Sequence, residues 1–493
     1  MESLVDYDLI VLGSGPAGDS AAQLAAGAGH RVAIVERLRS PGGVVVANGG
    51  VPTKTLRETA MYLTGFMDRR TYGVGLSLQP EMLADRLATR TREVSQTIAT
   101  LIRENFASRG IDLIHGTGRL GPDRTLTVTS NDPSVPPRTL RGRTILVATG
   151  SRPFRPSIVP ADDPDVWDNE SMLAVGRIPS SLLIVGGGAI GCEYGSIYSA
   201  LGTDVTIVDV APQLLPFLDG ELSRRAADTY RRAGVKLLLE SRIESVQRVN
   251  GKLRARLGDG TILEPDGILV AAGRMVTTEG LGLDEAGVEV DARGRIVVDA
   301  QFQTTAPGIY AAGDVISPTL ASISMEQGRV AAAHALGINA KRNVASVPLI
   351  GVYSMPEIAM AGLTEEAASN EGIDYEVGRC DFTRIPRAHI AGHTDGLLKL
   401  VFERSTRRLL GVHVMCDVAS ELVPLGQEII SRGETIDRFV DLTLAVPTYT
   451  LAYKLAAFDG LARLAASRPT ANGQTKLPAT NELERIPFPT ITR

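Results

Sequence analysis

Two glycine-rich turns constrain the fold of this chain more than any other feature of its 493 residues. Each has the spacing GxGxxG, follows an apolar stretch that predicts a strand, and opens a segment that predicts a helix. The glycines are Gly13, Gly15 and Gly18 in the first turn, and Gly186, Gly188 and Gly191 in the second. Such a turn lets the backbone approach a pyrophosphate while the helix N-terminus supplies partial positive charge. One turn of this kind is weak evidence, but two predict two dinucleotide-binding domains in an α/β fold.

An acidic residue completes each unit. Glu36 ends the strand predicted for residues 31–36, and Asp209 follows the strand predicted for residues 205–208. Both acids lie eighteen residues after the last glycine of their turn, where a carboxylate can hold a ribose hydroxyl. The alternative, a glycine-rich turn that binds nothing, is disfavoured because each motif is bounded by strands and followed by this acid.

Residues 42–58, GGVVVANGGVPTKTLRE, place glycines around a short apolar strip and a proline at the start of a predicted helix. Lys54 lies in the first turn of that helix, where a cation opposes the helix dipole unless an anion or an electron-rich ligand lies nearby. Glu193 shares an apolar helix face with Ile190 and Ile197, where an unpaired carboxylate is costly. We therefore predict that Lys54 and Glu193 pair, the alternative being that each is exposed to water.

Charge and hydropathy argue against nucleic acid and membrane as partners. A net charge of −5 and a pI near 5.8 predict no basic face for nucleic acid, and no apolar run is long enough to span a membrane. The N-terminus has no signal-peptide pattern, so we expect a cytoplasmic location. The three cysteines are far apart in sequence and indicate neither a disulfide framework nor a metal site.

The rest of the chain adds secondary elements and a change of character near residue 347. A polar helix is predicted for residues 80–110, followed by short strands over 111–150 and apolar strands ending in turns at 268–273 and 308–314. Beyond residue 347, alternating strands and helices predict a separate α+β domain that ends near residue 466. Residues 467–493 lack periodicity and are rich in Pro, Thr and Asn, which predicts a mobile tail.

The strip at residues 42–58 resembles the redox-active segment of the flavoprotein disulfide reductases, which reads GGxCxxxxC before Pro-Ser-Lys. The glycines, Pro52 and Lys54 match, but Val45 and Gly50 stand where the two cysteines would be. Neither residue can replace a thiolate as nucleophile or electron carrier. Electron transfer through a dithiol at this position is therefore not expected.

The resemblance extends from residue 6 to about residue 465 and implies an architecture. The fold would contain two Rossmann-like dinucleotide-binding domains, for FAD and NAD, and a C-terminal α+β dimerisation domain that makes the protein a homodimer. The implied ranges are 1–155 with 280–345 for FAD, 156–279 for NAD(P) and 346–466 for dimerisation.

The resemblance also implies the site. In this family the first turn binds FAD, the second binds NAD or NADP, and a lysine–glutamate pair lies beside the flavin. The residues expected to bind FAD are Gly13, Gly15, Gly18, Glu36, Gly43, Lys54, Ala148, Thr149, Gly150, Gly313 and Asp314. Those expected to bind the nicotinamide nucleotide are Gly186, Gly188, Gly191, Asp209, Gly273 and Arg274. Lys54 and Glu193 are the expected catalytic residues.

Five stretches are similar to the soluble pyridine nucleotide transhydrogenases, members that lack an intact cysteine pair and move hydride between NADH and NADPH pools through FAD. The stretches are 52–65, 324–337, 350–359, 387–400 and 447–461. Two departures qualify this likeness. Val446 and Leu451 replace the His and Glu of the disulfide-reducing members, and transhydrogenases often keep that Glu. Asp209 repels a 2′-phosphate and has no neighbouring Arg, which favours NAD(H) and leaves use of NADP(H) open.

Together these features predict an oxidoreductase that passes hydride from NADH through FAD to a small, non-disulfide acceptor, as a transhydrogenase, quinone reductase or diaphorase does. The alternative is a dimer that binds flavin and NADH as a sensor or scaffold with little turnover. Disulfide reduction by Cys192 is disfavoured, because this residue lies within the nucleotide-domain helix with no thiol nearby in sequence.

Overall fold

The computed structural model of the chain describes residues 5–64, 80–160, 162–318, 320–340 and 343–467. It forms two compact units, divided in the chain between Met355 and Pro356. Within these ranges no helix is both long enough and apolar enough to cross a membrane. The tail predicted for 467–493 lies, from residue 468 onward, outside the described residues.

Unit 1 contains two parallel sheets, and the first has five strands. Its strands in spatial order are β3 (Asp112–His115), β2 (Val32–Glu36), β1 (Tyr7–Leu12), β6 (Arg138–Val147) and β17 (Ile309–Ala311). Strand β5 (Thr125–Thr129) pairs antiparallel with the start of β6, and β4 (Thr117–Leu120) pairs antiparallel with β5. Both faces of the parallel sheet are covered, so Leu9 and Val11 enter one apolar cluster while Ile10 and Leu12 enter the other.

Five helices belong to the region of this sheet, and the first of them begins directly after the first glycine turn. They are α1 (Pro16–Gly27), α2 (Gly43–Ala47), α3 (Val51–Thr64), α4 (Pro80–Ser108) and α7 (Ala321–Leu336). Helices α1 and α7 pack closely because Gly328 has no side chain: a Cβ there would lie 2.0 Å from the carbonyl oxygen of Ala17. The helix predicted for 80–110 is confirmed as α4, and the proline at position 52 lies at the start of α3 as predicted.

A second parallel sheet carries the second glycine turn. Its strands in spatial order are β11 (Lys236–Leu238), β10 (Asp204–Val208), β9 (Ser181–Val185), β15 (Gly267–Val270) and β8 (Val166–Asp168). Its helices are α5 (Ala189–Ala200) and α6 (Gly220–Arg232). A small antiparallel sheet in unit 1 consists of β12 (Ile243–Val249), β13 (Lys252–Leu257) and β14 (Ile262–Leu263). Strand β7 (Ser151–Pro153) pairs antiparallel with β16 (Arg274–Val276). The last strand of unit 1 is β18 (Leu349–Val352).

Unit 2 is built on antiparallel strands, in agreement with the predicted α+β domain. Its strands in spatial order are β19 (Glu357–Gly362), β22 (Leu409–Cys416), β21 (Leu397–Glu403) and β20 (Tyr375–Asp381). Its helices are α8 (Glu365–Asn370), α9 (Pro386–Ala391), α10 (Ala419–Ser431), α11 (Asp437–Asp441) and α12 (Leu451–Ala466). Glycines allow close packing here too, since a Cβ on Gly378 would lie 2.1 Å from the carbonyl oxygen of Ala456 on α12.

Candidate functional site

The first glycine turn, between β1 and α1, is closed by backbone contacts. A Cβ on Gly13, which has φ +105°, would lie 2.4 Å from the oxygen of Ala148, and one on Gly18 would lie 2.0 Å from the oxygen of Gly13. Gly15 is the N-cap of α1 and has no side-chain cap; its Cβ position is open, with the Cα of Gly43 the nearest atom at 4.0 Å. The turn therefore presents uncapped N–H groups beside open space, the arrangement that binds a phosphate.

Glu36 holds this turn to the segment that follows β2. Its Oε2 accepts hydrogen bonds from the backbone N–H of Ser14 (2.8 Å) and from the Ser14 hydroxyl (2.6 Å). Its Oε1 accepts from the N–H of Leu38 at 2.7 Å, and Ser14 Oγ in turn accepts from the N–H of Gly42 at 3.0 Å. The carboxylate is buried at the carboxyl edge of the sheet, where a bound ribose would meet it.

The second glycine turn repeats this geometry between β9 and α5. Gly186 has φ +112°, and a Cβ there would lie 2.4 Å from the oxygen of Ala271. A Cβ on Gly191 would lie 1.9 Å from the oxygen of Gly186. Gly188 is the uncapped N-cap of α5, and its Cβ position has no atom within 4 Å. The two turns thus share two closed glycine positions and one open one.

Asp209 binds the second turn as Glu36 binds the first. Its Oδ2 accepts from the N–H of Gly187 at 2.5 Å, and its Oδ1 accepts from the N–H of Ala211 at 2.7 Å. The carboxylate therefore lies directly against the glycine turn, at the end of β10.

Lys54 and Glu193 form the ion pair that the sequence predicts. Lys54 Nζ lies 2.7 Å from Glu193 Oε2, and the two side chains are 32% and 10% exposed. Lys54 Nζ also donates to Thr53 Oγ1 at 3.3 Å and lies 4.7 Å from the centroid of the Tyr353 ring. Helices α3 and α5 thus bring together residues that are 139 positions apart in the sequence.

In the strip before α3, the two positions that correspond to the family's cysteines lie close together, but neither carries a sulfur atom. It begins with Gly42 and Gly43, at φ +107° and +60°, and folds as the short helix α2. A Cβ on Gly50 would lie 2.8 Å from Val45 Cγ1 and 3.4 Å from Val45 Cα. Positions 45 and 50 are therefore adjacent in space, and aliphatic atoms fill the place that sulfur would take.

Asp314 and Arg274 belong to one polar network. Ser151 Oγ donates to Asp314 Oδ2 in a short hydrogen bond, and Arg274 Nε donates to Ser151 Oγ at 2.7 Å. Arg274 also lies 3.8 Å from Glu170 and 3.8 Å from Asp314. The pKa of Glu170 is raised by its burial, and the charge of Arg274 opposes that rise. These contacts hold the guanidinium at Ser151.

The remaining predicted positions surround the same strand ends. Thr149 Oγ1 donates to the oxygen of Thr277 at 2.7 Å, and the N–H of Ala148 donates to the oxygen of Leu12 at 2.8 Å. Three positions have positive φ, at +73°, +114° and +79°: Gly150, Gly273 and Gly313. The N–H of Gly313 donates to the Gln327 side chain at 2.9 Å. The predicted residues lie in turns that follow β6, β15 or β17, namely Ala148, Thr149, Gly150, Gly273 and Gly313.

Burial disfavours the thiolate form of all three cysteines. Cys192, Cys380 and Cys416 are free and buried. Burial raises the pKa of the Cys192 thiol, whose Sγ donates to the oxygen of Gly187 at 3.4 Å, and raises that of Cys380 to about 12. Disulfide reduction by Cys192, disfavoured on the sequence, is disfavoured by its burial as well.

The site fits two dinucleotides. Each parallel sheet ends in a glycine turn with one open position, an uncapped helix start and a carboxylate bound to the turn. Comparisons with known proteins agree with this geometry. Residues 7–331 match the family described as pyridine nucleotide-disulphide oxidoreductase, and residues 347–457 match the dimerisation domain of that family.

The chain belongs to the pyridine nucleotide-disulphide oxidoreductase family.

Relatives within this family carry a more specific name. A Mycobacterium bovis protein named soluble pyridine nucleotide transhydrogenase is 38% identical over 462 residues, covering 94% of this chain and 98% of the relative. A Pseudomonas fluorescens protein of the same name is 37% identical over 470 residues, covering 94% and 100%. The chain is accordingly an FAD-dependent oxidoreductase of NAD(P)H of the transhydrogenase type, and the sensor or scaffold alternative is not favoured.

Solved structures show the same fold. The HOCl-induced flavoprotein disulfide reductase RclA from Escherichia coli superposes with a TM-score of 0.82 at 28% identity, covering 92% of this chain and 99% of that one. LpdA from Mycobacterium tuberculosis superposes with a TM-score of 0.84 at 26% identity, covering 91% and 98%. The predicted architecture, with two dinucleotide-binding regions and a dimerisation domain, is therefore confirmed.

Three residues of the site escaped the sequence analysis. Ser14 links Glu36 to Gly42, Ser151 links Arg274 to Asp314, and Tyr353 contacts both Lys54 and Glu193. Ser14 lies inside the GxGxxG motif and could have been singled out there. Tyr353 lies within the stretch 350–359 noted above, but no local pattern predicts its contacts or those of Ser151, because they join segments more than 100 positions apart.

Proposed function

We propose that this oxidoreductase takes hydride from NADH and delivers it to NADP⁺, with FAD and without a dithiol. The observation that carries the proposal is the Lys54–Glu193 ion pair of 2.7 Å, retained while Val45 and Gly50 occupy the cysteine positions. The relatives named transhydrogenase support NADP⁺ as the acceptor. Bound FAD would supply the redox chemistry, accepting hydride from one nucleotide and giving it to the next.

The chain's own residues bind, orient and supply charge. We assign the uncapped N-termini of α1 and α5 to the two pyrophosphates, and Glu36 and Asp209 to the adenosine riboses. Lys54 provides a fixed cation at the flavin, where negative charge develops on reduction, and Glu193 holds that cation in place.

The turns that follow β6, β15 and β17 complete the proposed binding surfaces. We assign Asp314, with Gly313, to the ribitol of FAD. The other proposed contacts are Gly43, Ala148, Thr149 and Gly150 for FAD, and Gly273 and Arg274 for the nicotinamide nucleotide.

Asp209 predicts that the proposed donor NADH binds more tightly than NADPH, so we expect NADP⁺ to accept hydride only at a higher concentration than NADH requires. A hydrogen bond to the 2′-OH is lost with NADPH and a repulsion from the 2′-phosphate is gained, together on the order of 2–4 kcal/mol, or roughly 30- to 1000-fold in Kd. Asp209→Asn removes the charge and should reduce the gap by about tenfold or more. Asp204→Asn is the matched control, because it removes the same charge from the opposite end of β10. Anaerobic stopped-flow reduction over a range of nucleotide concentrations measures each Kd, and an equal or lower Kd for NADPH in the wild type would refute the assignment.

Transfer to NADP⁺ is tested by supplying NADH with thio-NADP⁺, whose reduced form absorbs at a distinct wavelength. We expect thio-NADPH to accumulate with the FAD-loaded protein and not with protein stripped of FAD. If quinone or dye is reduced and thio-NADP⁺ is not, the acceptor is not a nicotinamide nucleotide. If the protein reduces no acceptor faster than free FAD does, the result supports the alternative that the protein is a sensor or scaffold.

We further propose a cytoplasmic homodimer that assembles through residues 346–466. The match to a dimerisation domain supports the homodimer, and the relatives named soluble support the location. We retain the predicted ranges 1–155 with 280–345 for FAD and 156–279 for the nicotinamide nucleotide.

A further inference from the structure

Tyr353 contacts both members of the ion pair. It follows β18, and its backbone N–H donates to Glu193 Oε1 at 3.0 Å, while Lys54 binds the other oxygen, Oε2, at 2.7 Å. Its ring faces the Lys54 ammonium, with 4.7 Å between Nζ and the ring centroid. One residue thus holds the carboxylate through its backbone and the ammonium through its ring.

The segment around Tyr353 is fixed by the same helices that carry the ion pair. Arg57 on α3 is 3% exposed, and its Nε donates to the carbonyl oxygen of Ser354 at 2.9 Å. Ser196 on α5 accepts from the N–H of Met355 at 3.2 Å. Residues 353–355 are therefore tied to α3 one turn beyond Lys54 and to α5 one turn beyond Glu193, which fixes the ring relative to both charges.

We propose that Tyr353 is a positioning residue for Lys54. A lysine side chain has many rotamers, and Glu193 alone fixes only the distance to its carboxylate. The face of the ring attracts the ammonium and closes off one side of it, so Nζ is held in one direction. The attraction requires the aromatic ring of Tyr353 and not its hydroxyl group. Tyr353 affects hydride transfer only by orienting Lys54. The inference rests on the role proposed above for Lys54 at the flavin.

The test compares Tyr353→Phe with Tyr353→Leu. Phe keeps the ring and should leave the rate of flavin reduction by NADH within about twofold of the wild type. Leu removes the ring, and we expect it to slow that rate about three- to tenfold. It should also shift the equilibrium between oxidised and reduced flavin by about the same factor toward the oxidised form, measured by titration against a dye of known potential. FAD content and Tm should stay close to the wild type, and Tyr353→Met replaces the leucine variant if that variant does not fold.

A double-mutant cycle separates positioning from general damage. In a Lys54→Met background, Tyr353→Leu should change neither the rate nor the equilibrium, because the group it positions is gone. The proposal is wrong if Tyr353→Leu matches the wild type, or if it has the same effect with and without Lys54. Both readouts concern the flavin and NADH alone, so a failure of transfer to thio-NADP⁺ would contradict the proposed acceptor and leave this inference standing.

Discussion

At the residue scale, Lys54 and Glu193 compensate each other. A lysine in the first turn of α3 opposes the helix dipole, and a carboxylate only 10% exposed on α5 is costly to leave unpaired. The 2.7 Å contact between them satisfies both requirements. The Lys54 side chain remains 32% exposed, so pairing with Glu193 does not bury it completely.

Loss of the Lys54 charge is predicted to slow flavin reduction while FAD stays bound. Lys54→Met should lower the rate of reduction by NADH about tenfold or more, which corresponds to about 1.4 kcal/mol in the barrier. The ratio of FAD to protein should not change, because the glycine turn and Glu36 lie elsewhere.

The matched control is Lys252→Met, the same substitution at a lysine on β13 that is 72% exposed. Stopped-flow reduction of both variants under anaerobic conditions makes the comparison. A Lys54→Met protein that is reduced at the wild-type rate would reject the role assigned to this residue.

A contact between two residues could be predicted from the sequence where each of them needed an opposite charge. Lys54 lacked an anion and Glu193 lacked a cation, so their pairing followed from the sequence. Tyr353 and Ser151 are uncharged and create no such demand, and their partners lie 160 and 163 residues away. Only the folded chain reveals these contacts.

At the element scale, the two βαβ units were predictable because their signals are local. Glycines mark the turns, apolar runs mark the strands, and the predicted boundaries differ from the observed ones by at most a few residues. The strip at 42–50 was different, since three consecutive valines after two glycines do not specify a conformation. It folds as α2 although β-branched residues are poor helix formers, and the positive φ angles at Gly42 and Gly43 allow the chain to turn into it.

The second glycine turn yields a prediction that separates folding from binding. Gly191→Ala places a Cβ 1.9 Å from the oxygen of Gly186, so the turn must open, at a cost of about 1–3 kcal/mol. Gly188→Ala meets no atom within 4 Å and has φ −77°, which any residue adopts. We therefore expect Gly191→Ala to lower Tm by several degrees and Gly188→Ala to leave it unchanged.

For nucleotide binding, we expect Gly188→Ala to have the larger effect of the two substitutions. The Gly188→Ala methyl group points into the open space where the pyrophosphate is proposed to lie, so the Kd for NADH should rise at least about tenfold while folding is intact. Differential scanning calorimetry and stopped-flow titration of the two variants measure the two effects. An NADH Kd unchanged by Gly188→Ala would contradict the placement of the pyrophosphate.

At the scale of the whole molecule, we expect FAD to be the centre that holds the transferred pair of electrons. All three thiols are buried, and burial raises the pKa of each. The positions of a dithiol hold Val45 and Gly50. The chain keeps the fold of the disulfide reductases without their cysteine pair, and we expect bound FAD to store the reducing equivalents. The absence of a cysteine pair at positions 45 and 50 is visible in the sequence itself and requires no knowledge of the fold.

The number of electrons taken up tests this conclusion most directly. Anaerobic titration of the FAD-loaded protein with NADH, followed by flavin absorbance, should end at one equivalent of NADH per FAD, since flavin alone accepts two electrons. No charge-transfer band between a thiolate and oxidised flavin should appear at any point. An end point of two equivalents per FAD, the four-electron capacity of a flavin with a working dithiol, would contradict transfer through flavin alone.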